Sequence, residues 1–274
     1  MVEPWLHPGW RGRCAVLAHR GGMGPSRENT LEAFSAARRA GADGVELDVR
    51  RCADGSLVVV HDAVVPGVGP VHACRREDLP DWVPSLTEAL DVSRGMVVDI
   101  EVKSSPFEAG HDPDQRAASG VAELLAGRAG EERLVVSCFW PQTLQVLTST
   151  SRRAGATVPT ALLVDGRLDV GPLVAVAAEI GCSAVNVEHR AVGTALVGSA
   201  HRAGLAVMAY TVNDAQDIQR VVAAGVDAVI TDRVDLARQV LAAGAGRAAA
   251  DAGTRARAGG NWSAGRSVGN NQGS

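Results

Sequence analysis

Seven side chains stand out for the chemistry they could share: His19, Arg20, Glu46, Asp48, His61, Glu101 and Lys103. Glu46 and Asp48 are two residues apart, as are Glu101 and Lys103, so each pair projects to one face of an extended chain. Three carboxylates gathered together repel one another, and their pKa values rise unless a cation sits among them. Oxygen donors without a cysteine suit a hard divalent ion, Mg²⁺ or Ca²⁺, better than Zn²⁺. Arg20 and Lys103 add fixed positive charge. A cation, basic side chains and an anionic substrate together make a phosphoryl centre. Two histidines titrate near neutrality, so one can accept a proton while the other donates one.

Bringing these groups together takes a particular scaffold. Eight short runs rich in Val, Ile and Leu read as strands buried on both faces: 14–18, 44–49, 96–102, 134–139, 160–164, 184–187, 205–210 and 227–230. Longer amphipathic stretches between them read as helices, among them 30–40, 85–93, 143–154, 194–203 and 214–224. The first of these is expected to take Asn29 as its N-cap, with Glu32 at the third position, and to stop at Gly41. AGADGVELD (40–48) and AGVDAVITD (224–232) echo each other, and IGCSAVNVE (180–188) is a looser copy. Repeated units of this kind predict an α/β fold with a parallel sheet, and eight of them predict closure into a (β/α)₈ TIM barrel. The active site of such a barrel lies at the carboxyl ends of its strands, which is where the seven groups fall.

One segment departs from a simple barrel. GVELDVRRCADGSLVVVHD (44–62) holds two strand-like runs joined around Asp54-Gly55, a strong hairpin signal. The link is too short for a parallel crossover, so 57–61 is expected to return antiparallel as a β-hairpin extension after the second strand. A two-residue turn on Asp54-Gly55 sets His61 opposite Asp48.

Composition narrows the class. The 274 residues are 46% hydrophobic, enough for a substantial core. A net charge of −4 argues against wholesale phosphate-backbone binding, so no nucleic-acid partner is expected. The five cysteines are odd in number and none forms a CxxC pair, which reads as reduced thiols in a cytoplasmic protein. MVEPWLHPGW lacks the order of a signal peptide. No run of about 18 apolar residues predicts a membrane span. Residues 1–243 are expected to form the barrel domain, and Gly244 to Ser274, rich in Gly, Ala, Ser and Asn, a disordered tail. His7, His72, His111, His189 and His201 read as surface or loop residues. No pattern fixes an oligomeric state.

HRGG (19–22), ENT (28–30), ELDV (46–49), DG (54–55), HD (61–62), EVK (101–103), TVND (211–214) and GVDAVITD (225–232) together resemble the motifs of glycerophosphodiester phosphodiesterases, in the right order over nearly the whole body. The resemblance implies that Glu46, Asp48 and Glu101 ligate the metal, that His19 and His61 are the acid–base pair, and that Arg20 and Lys103 hold phosphate. It implies hydrolysis of a small-molecule phosphodiester to sn-glycerol 3-phosphate and an alcohol. The residues leave open which imidazole is base and which is acid; the working assignment is His61 as base and His19 as acid. Glu28, Phe139 and Tyr210 are candidates for the substrate pocket. The chain departs from the family at Arg27, where proline is usual, at Tyr210, where tryptophan is common, and at Arg233-Val234, where proline follows. AVVPGVGPVHAC (63–74) replaces a leucine- and arginine-rich segment and is expected to shape the pocket.

Three other readings compete. A metal-independent phospholipase C or a lysophospholipase D could use the same barrel, but three carboxylates argue against metal independence. A non-catalytic phospholigand-binding barrel would keep Arg20 and Lys103 without needing two histidines and three acids. A sugar-phosphate aldolase would need a lysine in a dry pocket, for which Lys103 is the one candidate.

Overall fold

The structure is a computed structural model that describes residues 13–24, 26–108, 110–128 and 133–244. The apolar runs fold as strands: β1 (Ala15–Ala18), β2 (Gly44–Arg51), β3 (Leu57–Val59), β4 (Val64–Val65), β5 (Gly69–Pro70), β6 (Val97–Val102), β7 (Arg133–Cys138), β8 (Thr160–Val164), β9 (Ala184–Glu188), β10 (Ala206–Tyr210) and β11 (Ala228–Thr231). The amphipathic stretches fold as α1 (Leu31–Arg39), α2 (Leu86–Val92), α3 (Arg116–Ala126), α4 (Pro141–Arg153), α5 (Val170–Glu179), α6 (Thr194–Arg202) and α7 (Ala215–Ala224), followed by α8 over 234–244. Among the described residues no helix is long and apolar enough to cross a membrane. The tail expected from Gly244 lies outside the described residues beyond that glycine, which is the last described residue of α8.

The eight expected strands pair in parallel in the order β1-β2-β6-β7-β8-β9-β10-β11, and β11 pairs again with β1, closing the barrel. Side chains alternate along each strand. Ala15, Leu17, Val97, Val135, Ala206, Met208 and Ile230 fill the interior as one apolar cluster. Their neighbours, such as Val16, Val45, Leu47, Ile100 and Val136, pack outward under Phe34, Leu86, Leu144 and Ile218 of the helices. Both faces are dry, which explains why the strand runs are continuously apolar.

The sequence echo marks a repeated joint at the amino ends of the strands. At the end of α1, Gly41 (φ +80°) donates to the Arg38 carbonyl and Ala42 to that of Ala37, a Schellman motif that needs a left-handed residue. The same pair of bonds recurs at Gly155, Gly181, Gly204 and Gly225. The aspartate two residues on is a staple: Asp43 accepts from the Val16 amide, and Asp227 from that of Val207, each on the neighbouring strand.

Two expectations are corrected. The hairpin is antiparallel, but Val49 faces Val59 and Arg51 faces Leu57, one residue out of the expected register. The cause is the turn: Cys52 and Ser56 close a three-residue loop, Ala53-Asp54-Gly55, with Gly55 at φ +92°. Asp48 therefore bonds through its carbonyl to the Val60 amide, and His61 lies past the ladder. Asn29 is also not the cap of α1. Thr30 is, its hydroxyl accepting from the Ala33 amide, while Asn29 is buried at φ +58°.

Candidate active site

β2 and β6 lie side by side, with Glu46 level with Asp99 and Asp48 level with Glu101. The two-residue spacing places all four on the inner face, above the apolar plug. One carboxylate oxygen from each of Glu46, Asp48 and Glu101 lies within 4.8 Å of the others. Lys103 Nζ bridges Glu101 Oε1 at 2.5 Å and Asp48 Oδ1 at 2.8 Å.

Arg20 reaches the cluster from the other side. Its Nε is 3.2 Å from Asp48 Oδ2, its Nη1 donates to Glu28 Oε1 at 3.0 Å, and its amide donates to Glu46 Oε2 at 2.9 Å. This grip requires Arg20 at φ +51° and Gly21 at φ +91°. A Cβ on Gly21 would lie 2.6 Å from that of Ala33, so α1 can approach only a glycine.

Burial and the charge of Asp48 and Glu101 push Glu46 well above the usual carboxylate range. Burial acts the same way on Asp48, but Lys103 and Arg20 outweigh it and hold that group low. Burial dominates at Glu101, which is raised despite Lys103. Asp99, beneath the cluster, is pushed up to about 7 by burial while accepting a hydrogen bond from Asn186 at 2.8 Å.

The residues fit a cation. Glu46 Oε1 is buried without a hydrogen-bond partner, a state that costs upward of about 1 kcal/mol for a charged acceptor. Beside it is a cavity of about 20 Å³ lined by His19, Glu46, Asp99, Glu101, Asn186 and Tyr210, room for one small ion or water. The acidic cluster can therefore hold a metal ion, on oxygen donors alone.

The two imidazoles are held differently. His19 Nδ1 lies 2.7 Å from Asp232 Oδ1, and its Nε2 is 4.0 Å from Glu46 Oε2. Burial would raise Asp232, but the bond with His19 overcomes it and keeps the carboxyl low. An ionised carboxylate only accepts, so Nδ1 carries the hydrogen and Nε2 is left facing the cluster. Asn213 completes the chain, its Oδ1 accepting from the Asp232 amide at 2.9 Å and its Nδ2 donating to Oδ2. His61 comes from the bend that follows β3. Its side chain is 35% exposed, and its Nδ1 is 2.8 Å from Asp62 Oδ1.

The candidate pocket residues divide. Glu28 is exposed, pairs with Arg20, and joins His61, Val64 and Trp82 around a cavity of about 260 Å³. Phe139 and Tyr210 meet edge to face, centroids 6.3 Å apart, on the opposite wall. The Tyr210 hydroxyl donates to the Val164 carbonyl, so the ring both packs and lines the site.

Four supporting residues escaped the sequence reading of roles: Asn29, Asp99, Asn213 and Asp232. Asn29 Nδ2 donates to Asp48 Oδ2 at 2.7 Å and its Oδ1 accepts from the Asp48 amide, fixing one carboxylate of the cluster. Three of the four sit in recognised motifs, ENT, TVND and GVDAVITD, which was the available signal.

Comparison with known proteins agrees with this arrangement. The family model for the glycerophosphoryl diester phosphodiesterase family matches residues 19–236, and the chain belongs to that family. It is thus an enzyme, of the phosphoric diester hydrolase class. The glycerophosphodiester phosphodiesterase of Caldanaerobacter subterraneus subsp. tengcongensis is 28% identical over 79% of this chain and 93% of its own length. The crystal structure of glycerophosphodiester phosphodiesterase from Thermotoga maritima superposes with a TM-score of 0.68 at 25% identity, over 83% of this chain and 98% of that one. An Oleispira antarctica phosphodiesterase, solved with its product sn-glycerol-3-phosphate, shares the fold at a TM-score of 0.70 and 21% identity, over 83% and 96% of the two chains.

Proposed function

We propose that this protein hydrolyses glycerophosphodiesters to sn-glycerol 3-phosphate and the free alcohol, with Mg²⁺ or Ca²⁺ held by Glu46, Asp48 and Glu101. The observation that carries the reading is the carboxylate triad within 4.8 Å, with Glu46 Oε1 unpartnered and His19 Nε2 4.0 Å from Glu46 Oε2. When bound, the cation would polarise a phosphate oxygen and favour ionisation of the attacking hydroxyl. His61 accepts the proton of that hydroxyl. His19, held by Asp232, delivers a proton from Nε2 to the departing alkoxide as the P–O bond breaks. Arg20 and Lys103 take up the charge that gathers on the phosphoryl oxygens. Glu28 anchors Arg20, and Phe139 with Tyr210 form a wall for the substrate. The five buried free thiols suit the cytoplasm.

The test is a panel of glycerophosphodiesters assayed with Mg²⁺, with Ca²⁺, and after EDTA. Release of sn-glycerol 3-phosphate that depends on the divalent ion supports the reading. Full turnover after EDTA sinks the metal assignment, and no turnover of any member sinks the substrate class.

A further inference from the structure

The geometry points to Arg50 as a positioning residue that sets His61 over the carboxylates and ties it to the segment that follows Lys103. This rests on the assignment of His61 as an acid–base group. Arg50 is the fourth inward position of β2, two residues beyond Asp48, and its side chain is only 11% exposed. Its Nε donates to the His61 carbonyl at 2.8 Å, and its Nη1 donates to Glu108 Oε2 at 2.7 Å.

These two bonds matter because of where the ladder stops. The last main-chain bond from β2 to the returning strand ends at Val60, and His61 follows in a bend. Among the described residues, the bond from Arg50 is the one hydrogen bond the His61 main chain makes. Among the described residues its imidazole pairs with the neighbouring Asp62 alone, itself on the surface. Without Arg50, the His61 backbone would be free to shift relative to Asp48 and Glu101. A displacement of about 1 Å in a catalytic group can cost about 10²-fold in rate.

The other end of the guanidinium holds the loop after β6. Glu108 belongs to the segment that begins at Lys103, whose amide is bonded to the Val49 carbonyl. One planar side chain therefore locks the segment of a proposed base and the segment after a proposed phosphate ligand to the strand that carries Glu46 and Asp48. The fork geometry of arginine allows both bonds at once; a lysine offers a point charge that can satisfy one.

The experiment compares Arg50→Gln, Arg50→Lys, Glu108→Gln, His61→Ala and the double variant Arg50→Gln/His61→Ala by steady-state kinetics on a soluble glycerophosphodiester, with thermal melts. Arg50→Gln is expected to lower kcat about tenfold or more, with KM changed by less than about threefold and an unchanged melting temperature. Arg50→Lys should recover part of the loss. Glu108→Gln should lower kcat by a smaller factor, since Arg50 keeps its bond to His61. The double variant should be no slower than His61→Ala, because residues acting through one group are not additive. Parental kcat in Arg50→Gln, or an additive double variant, overturns the inference. So does a loss that follows the melting temperature in Arg50→Gln and is absent from Glu108→Gln. Parental turnover in His61→Ala would instead remove the assignment of His61 itself.

Discussion

The two ends of the barrel are built on opposite terms. At the amino ends of the strands, five helices finish on the same Schellman glycine, and each such turn satisfies its own carbonyls. At the carboxyl ends the connections share no pattern. They carry a left-handed arginine, an antiparallel hairpin, a buried carboxylate oxygen without a partner, and the acidic triad. The exposed large hydrophobics of the described residues, Met23, Val64, Val68, Phe107, Phe139 and Leu168, also lie in the connections that follow the barrel strands at this end. One end is made to close the fold and the other to hold charges together against their repulsion. Strain concentrated at one end while local rules are obeyed at the other is what a functional mouth on a stable scaffold requires.

The sharpest way to break this contrast is to remove the repulsion. Glu46→Gln should lower kcat by roughly 10³-fold or more, because a cation is worth several kcal/mol of charge stabilisation. Without divalent ions the same variant should melt no lower than the parent, since a buried acid with one unpartnered oxygen becomes a neutral amide. Parental rates in Mg²⁺ and Ca²⁺, or a sharply lowered melting temperature, would mean that Glu46 is a structural ion-pair partner. Next in size, His19→Ala and His61→Ala should each lower kcat by about 10²-fold or more, with little change in melting temperature. Unchanged turnover in both would remove acid–base catalysis from this mouth.

How far the sequence reveals each end follows from the same contrast. The eight strands are legible because burial on both faces forces continuous Val, Leu and Ile, and the glycine stops because left-handed caps admit little else. The triad is legible because Glu46 and Asp48 repeat at the strand period. The hairpin register is not, since Asp54-Gly55 suits a two-residue turn as well as the three-residue loop that forms, and local spacing does not separate them. Asn29 is misread for a related reason. Asn is a good helix cap, but here Thr30 takes that place and the asparagine turns inward to Asp48. The partnership of His19 with Asp232 spans 213 residues and exists only because β11 returns to β1. Spacing along the chain has no access to such a contact.

That long-range partnership allows a finer test. Asp232→Asn should lower kcat by about 10- to 10²-fold, as expected for a partner that orients a catalytic group, while leaving KM nearly unchanged. The parent's pH dependence should carry the matching sign. The Asp232 carboxyl is held low in the fold, so its bond to His19 is fully present above the ordinary carboxylate pKa of about 3.9. It is lost only as pH falls through the depressed value. Activity that fails between about pH 7 and 5 therefore does not belong to Asp232, and the same midpoint should persist in Asp232→Glu. A midpoint that follows the carboxyl variant would place the titration on Asp232.

The smallest effect is expected at the amino end, where it should appear in stability alone. Gly41 at φ +80° has open space where a Cβ would go, so Gly41→Ala meets only the conformational penalty of a left-handed residue, about 1 kcal/mol. For a chain of this size that lowers the melting temperature by about 2–4 °C. The rate per folded molecule should not move, because the turn at Gly41 lies at the opposite end of β2 from Asp48 and its bonds are local. The measurement is a thermal melt beside kcat at a temperature well below the transition. A loss of kcat without a loss of stability would show that the closing end also shapes the mouth, and the division of labour between the two ends would have to be abandoned.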